Sequence, residues 1–283
     1  MVQSNAISSA VSSVGGYDYT KWGWIVGIII AIVASIIFIG GVKRIASVTE
    51  KIVPIMAVIY LLGGLVILAV NITAVPTALW YIVKFAFTPQ AIIGGGVGVA
   101  LKKAISMGAK RGLFSNEAGM GTAPMFTATV DNKDIHKAAS VASMSVVIDT
   151  LFLCMLTGIT IISTGKYNIL NPGEMLNSVF GEVILGKVLL NICMVFFVLA
   201  TIPCLEYYAE QAIGYLTKGR MAIYVFRMLY IIGIYLGSVA YANMVWDISG
   251  IFSALMTLPN IYMIYACMSD ITYYRSNNNR ENK

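Results

Sequence analysis

Charge is scarce in this chain. Charged residues make up 11% of its 283 positions, against roughly a quarter in a soluble domain. A water-facing surface of ordinary size cannot be built from so few. Histidine is nearly absent, with His136 alone, read here as a solvated loop residue beside Lys137. One imidazole cannot make a metal centre or a Ser/His relay. The four cysteines, Cys154, Cys193, Cys204 and Cys267, lie in apolar segments at no metal-binding spacing and read as small buried hydrophobes. No phosphate loop is present either, because the Gly run at 94–98 lacks the Lys-Ser/Thr that should follow it.

Apolar residues supply 58% of the chain, and mean hydropathy is +0.81. Lipid is therefore the solvent for most of it, and the expected class is an all-α polytopic membrane protein. Segments of about 20 apolar residues span a bilayer. They occur near 22–41, 52–72, 138–163, 182–205, 222–242 and 246–268. The first begins near Trp22, is too long for a signal-peptide core and lacks a small-residue cleavage site. A broken stretch at 91–130 makes about seven crossings, and 75–87 reads as an interfacial helix with Trp80 and Tyr81 at headgroup level.

Basic residues fall in alternate loops. Lys43, Arg44 and Lys51 follow the first span, Lys133 and Lys137 precede the fourth crossing, and Lys218 and Arg220 lie between the fifth and sixth. Arg275, Arg280 and Lys283 close the chain in a tail at 269–283. Positive loops stay inside, so the N-terminus is expected outside and the C-terminus in the cytoplasm, in a multi-pass protein of the cytoplasmic membrane. Topology thus accounts for the net charge of +6 without nucleic acid. Lys102, Lys103, Lys110 and Arg111 are the misfits, on the outer limb of the broken crossing. That limb is either an exposed vestibule or re-entrant. Residues 1–20 are small and polar, either a free tail or the end of a helix.

The most informative segment is KRGLFSNEAGMGTAP at 110–124. Three glycines, Gly112, Gly119 and Gly121, sit among Ser115, Asn116, Glu117 and Thr122. Backbone leaves the helix at membrane depth only where protein or a wet cavity satisfies it, so this break marks an ion or small-molecule site. Glu117 either braces the break or takes part in the site. Asp149, in SVVIDTLF, is an intramembrane acid, which costs at least about 2.5–3.5 kcal/mol at the bilayer centre and suits an ion pathway or a hydrogen-bonded structural role. Thr201, ahead of Pro203, is either a ligand or bonded to its own helix. Glu206 and Glu210 are expected to pair with Lys218, Arg220 or Arg227. Tyr207 and Tyr208 read as interfacial belt.

KRGLFSNEAGMGTAP closely resembles the signature region of the alanine or glycine:cation symporters. GGVKRIASVTEKIVPIMAVIYLLGG at 40–64, VIDT at 147–150 and ATIPCLEYYAE at 200–210 extend the likeness, which runs from Met1 to about residue 270. The resemblance implies a LeuT-like inverted-repeat fold, here incomplete, within a single unit 1–283. Residues 22–72 would be the last two helices of the first repeat and 91–268 the whole second repeat, making the chain the C-terminal part of a longer carrier. By the same likeness, Gln3, Ser115, Asn116, Gly119, Gly121, Thr122, Thr201 and Leu205 would contact substrate. Leu205 stands where the family usually has a pocket Trp, and Met125 and Phe126 replace residues usually small or polar. Glu117 and Asp149 would support the site, with Na⁺ near Asn116 and Thr201.

The implied function is sodium-coupled (or proton-coupled) symport of small neutral amino acids, alanine or glycine. No cofactor is implied beyond Na⁺ as coupling ion. The implied partners are the amino acid, sodium, membrane lipid and the missing N-terminal repeat helices. The alternative is a non-transporting fragment or one piece of a split transporter. An enzyme is disfavoured, since no nucleophile–base pair or second mid-span acid facing Asp149 is evident.

Overall fold

The computed structural model describes residues 1–16, 18–87, 97–117, 119–127, 135–169, 172–217 and 219–268, and all regular structure among them is helical. In order these are α1 (Val2–Gly15), α2 (Tyr19–Phe38), α3 (Gly41–Val70), α4 (Val75–Phe87), α5 (Val97–Asn116) and α6 (Thr122–Thr127). Then come α7 (Ile135–Val147), a π-helical stretch Ile148–Cys154, α8 (Met155–Ser163) and a 3₁₀ turn Lys166–Asn168. The chain continues with α9 (Pro172–Phe180), α10 (Gly186–Leu216), α11 (Arg220–Val239) and α12 (Ala242–Ala266).

Among the described residues, six helical stretches are long and apolar enough to cross a membrane: Lys21–Phe38, Gly41–Val70, Lys137–Ser163, Gly186–Leu216, Arg220–Val239 and Ala242–Ala266. The chain is an all-α polytopic membrane protein. Within 91–130, where a broken crossing is expected, the described residues form two helices, α5 and α6, interrupted between Asn116 and Thr122, and neither is among those six stretches. The tail at 269–283 and most of the glycine run at 94–98 lie outside the described residues.

Several boundaries differ from the hydropathy reading. Lys43, Arg44 and Lys51 belong to α3 rather than to a loop. Thirty residues at 1.5 Å each outrun a hydrocarbon core of about 30 Å, so the basic turns can sit beyond it. Likewise α10 continues to Leu216, so Glu206 and Glu210 lie within the helix rather than after it. His136 stands in the first turn of α7, not in a loop. Cys193 is buried, but Cys154 and Cys267 are exposed, because a thiol at a protein surface in lipid loses little by facing hydrocarbon.

Residues 2–15 form a buried helix, not a tail. α1 packs against α2, α9, α10, α11 and α12. Its composition explains why so polar a segment can be internal. Ser4, Asn5, Ser8, Ser9 and Ser12 are all buried, and small side chains let neighbouring backbones come close. The hydroxyls of Ser4 and Ser12 donate to the carbonyls of Met1 and Ser9 at 2.9 and 2.8 Å. Asn5 Nδ2 donates to the carbonyls of Gly237 and Ala240 at 3.0 and 2.6 Å. These carbonyls belong to the end of α11, where a helix leaves its acceptors unpaired.

Close approach recurs between α2 and α11. A Cβ on Gly23 would overlap the Ser238 carbonyl oxygen, and one on Gly27 would overlap the Ser238 side chain. Phe38, Val198, Ile202 and Ile234 fill the space between α2, α10 and α11. Beside this core, Arg227 Nε meets Glu206 Oε1 at 3.0 Å and its Nη2 meets Glu210 Oε2 at 2.7 Å. The expected acid pairing is thus made by Arg227. Glu206 is fully buried, so its charge depends on that partner. Tyr230 adds a bond from its hydroxyl to the Ile202 carbonyl at 2.7 Å.

Two stability outcomes follow from this packing. Gly23→Ala should lose about 1–3 kcal/mol by overpacking, whereas Gly214→Ala, with open space around it, should be neutral or gain up to about 1 kcal/mol. Thermal unfolding of the detergent-solubilised protein reads both. Arg227→Ala leaves the Glu206 charge buried alone and should cost about 3–5 kcal/mol. Replacing Glu206, Glu210 and Arg227 together by apolar residues should recover much of that loss in the same assay.

Candidate functional site

The break between α5 and α6 is built from left-handed backbone. α5 ends at Asn116, and Glu117, Gly119 and Gly121 follow with φ of 52°, 82° and 84° before α6 begins at Thr122. Glycine takes such angles freely, but a glutamate does so at a cost, and such strain gathers at functional positions. A Cβ on Gly121 would stand 3.2 Å from Asn260 Oδ1 of α12, so glycine there also allows a tight helix approach. The sequence segment 115–122 is thereby narrowed. Ser115 and Asn116 finish one half-helix, Thr122 opens the next, and only the residues between are unwound.

Asp149 lies in the π-helical stretch, at the level of the break. Widened turns of this kind are often found at functional sites. Its Oδ2 accepts a hydrogen bond from Ser115 Oγ at 2.9 Å, joining the π stretch to the end of α5. Cys154 Sγ lies 3.4 Å from Ser115 Oγ and 3.9 Å from Asp149 Oδ2. The Thr122 hydroxyl is buried and faces the Glu117 carboxyl without completing a well-formed hydrogen bond.

Ser115, Asn116, Glu117 and Asp149 line one cavity of about 410 Å³, with α6, α7 and Tyr208 of α10 as its other walls. Two carboxylates, a hydroxyl, an amide and a phenol therefore converge where the helix is broken. Oxygen-rich sets of this type suit a hard cation or an ammonium group.

Other residues named from the sequence fall elsewhere. Gly119, Gly121 and Thr122 shape the break without lining the cavity. Gln3 is half-buried on α1. The Thr201 hydroxyl donates to the Phe197 carbonyl of its own helix at 2.8 Å. Thr201, Leu205 and Tyr208 fall on one face of α10 by helical period, but only Tyr208 lines this cavity. Asn116 and Thr201 are not brought together there. Met125 is exposed. Three contributors escaped the sequence reading. Tyr208 reads as a belt residue, although its seven-residue spacing from Thr201 puts both on one face. Cys154 reads as core, although it follows Asp149 by five residues. Asn260 carries no local signal.

Comparison with known proteins places this architecture. The family model described as "Sodium:alanine symporter family" matches residues 1–283. A Haemophilus influenzae protein named as an uncharacterized transporter is 35% identical over 84% of this chain and 53% of its own length. The sodium/alanine symporter AgcS of Methanococcus maripaludis is 33% identical over 92% of this chain and 57% of that relative. The probable sodium/glutamine symporter GlnT of Bacillus subtilis is 36% identical over 93% and 54%. The chain thus spans about half the length of the curated relatives it matches. With its broken helix, intramembrane acid and six apolar spans, the chain belongs to the sodium:alanine symporter family.

Proposed function

We propose that these residues form one side of the pathway of a cation-coupled carrier for small neutral amino acids, with Na⁺ as the coupling ion. The single observation that carries the reading is the Ser115–Asp149 bond beside the break, at the wall of the polar cavity. In this reading the broken backbone and half-helix ends bind the ion and the amino acid, as discontinuous membrane helices do in secondary transporters. Asp149 and Glu117 supply negative charge, Ser115 orients Asp149, and Tyr208 closes the cavity. Thr201, Leu205 and Gln3 would meet the substrate from neighbouring helices in another state of the transport cycle. Alternating access then moves one repeat of a LeuT-like fold against the other, and ligand binding shifts the populations of the two states.

Orientation follows from the basic residues near 43–51, 133–137 and 218–220. It places those ends and the C-terminus in the cytoplasm of a cell whose cytoplasmic membrane holds the protein. The 410 Å³ cavity, walled by α6 and the start of α7, then faces inward. A second reading is favoured by the relatives' greater length. In it, this chain binds amino acid and ion but carries them only together with further helices.

Reconstitution in proteoliposomes tests both. Labelled alanine should accumulate under an inward Na⁺ gradient and not under an equal K⁺ gradient. Asp149→Asn and Ser115→Ala should each lower the initial rate about tenfold or more, the scale of one charge-assisted hydrogen bond. Uptake indifferent to the ion gradient would refute coupling, and full rates in both variants would remove the cavity from the pathway. Saturable alanine binding without Na⁺-driven uptake is the result that selects the second reading.

A further inference from the structure

A second cavity, of about 430 Å³, lies between α5 and α12. Met107, Lys110, Arg111 and Phe114 of α5 line it, whereas Ser115, Asn116 and Glu117 line the first, so the two cavities meet the chain on successive turns. Its walls carry both signs of charge, with Lys110 and Arg111 on α5 and Asp247 on α12. The Arg111 guanidinium lies 3.4 Å from the centre of the Trp246 ring, and Phe114 meets the same indole edge-on at 5.0 Å. Asp247 acts on Arg111 electrostatically across the cleft.

The stacking decides what Arg111 can do. A guanidinium laid flat on an indole uses its face and keeps its N–H donors in the plane around its edge, in the fork that matches a carboxylate. Among the described residues none accepts a hydrogen bond from Arg111. The fork is therefore held in position and open, which lowers the cost of ordering it when a ligand arrives. Asp247 offers acceptors to an ammonium group from the same cleft, and the hydroxyls of Ser249 and Ser253 line the same wall.

We infer that the α5–α12 cleft is a second binding site for a zwitterionic amino acid, whose carboxylate is taken by Arg111 and Lys110 and whose ammonium group by Asp247. This rests on the carrier reading and adds to it a second site on α5, with Arg111 one helical turn before Ser115 of the first. It also gives a role to Lys110 and Arg111 of α5.

Trp246 is the probe. The chain carrying Trp22→Phe, Trp24→Phe and Trp80→Phe keeps it as the single indole, and is placed in phosphatidylcholine nanodiscs and titrated with alanine. A saturable change in Trp246 emission is expected. Its apparent affinity should fall about tenfold or more in Arg111→Gln and in Asp247→Asn, and by less in Arg111→Lys, which keeps the charge but loses the fork. Acetate alone and methylamine alone should each bind about tenfold or more weakly than alanine. Circular dichroism checks that each variant is folded. An absent or non-saturable response, or one unchanged in both Arg111→Gln and Asp247→Asn, overturns the site. So does an emission change produced by phosphatidylethanolamine in the nanodisc that alanine does not alter, which would make the occupant a lipid headgroup. Labelled-alanine binding in the same nanodiscs, tested with Asp149→Asn, reports separately on the carrier reading. If that binding persists while Trp246 is silent, only the second site fails.

Discussion

Hydrocarbon offers no hydrogen bond to a backbone N–H or C=O, so every polar group that leaves a helix at membrane depth must find its partner in protein or in a wet cavity. Three features of this chain answer that constraint. Asn5 occupies the bare carbonyls at the end of α11. Ser4 and Ser12 of α1 turn their hydroxyls back onto their own helix. The unwound segment after α5 faces a polar cavity, and the acid beside it, Asp149, is bonded to Ser115. The same need that forbids irregular backbone in lipid thus makes the break a place where a ligand can be held.

Close packing supplies the frame. α1 is buried by five neighbouring helices because its side chains are small, and α2 approaches α11 at Gly23 and Gly27 with no room for a methyl group. Without a hydrophobic driving force between helices in lipid, such fits and a few polar bonds carry much of the association. The Arg227 bridge to Glu206 and Glu210 is one of those bonds and ties α10 to α11. α10 then presents opposite faces to two tasks, with its glutamates toward α11 and Tyr208 toward the cavity.

Two cavities of different chemistry meet α5 on successive turns. One carries the carboxyl groups of Asp149 and Glu117 and the Ser115 hydroxyl on otherwise largely apolar walls, and these groups suit a cation. The other holds Arg111, Lys110 and Asp247 against Trp246, and suits a group carrying both charges. Arg111 and Ser115 are four residues apart and serve separate cavities.

Much of this was legible in the sequence. Hydropathy gave the six spans, because a bilayer fixes how long an apolar run must be. The glycines around Glu117 marked the break, because positive φ favours glycine. The isolated acid at 149 marked the site, because burying a charge in lipid without a purpose is costly. Tertiary structure alone decided the rest. The sequence does not say that Asp149 meets Ser115, that Tyr208 faces the cavity while Glu206 faces Arg227, or that Arg111 lies flat on Trp246. Those contacts join residues 21 to 135 positions apart, and they depend on how the helices are rotated and how closely they pack. Composition and period constrain each helix singly, whereas small residues such as Gly23, Gly27 and Ser238 set the distances between helices only once the helices have met.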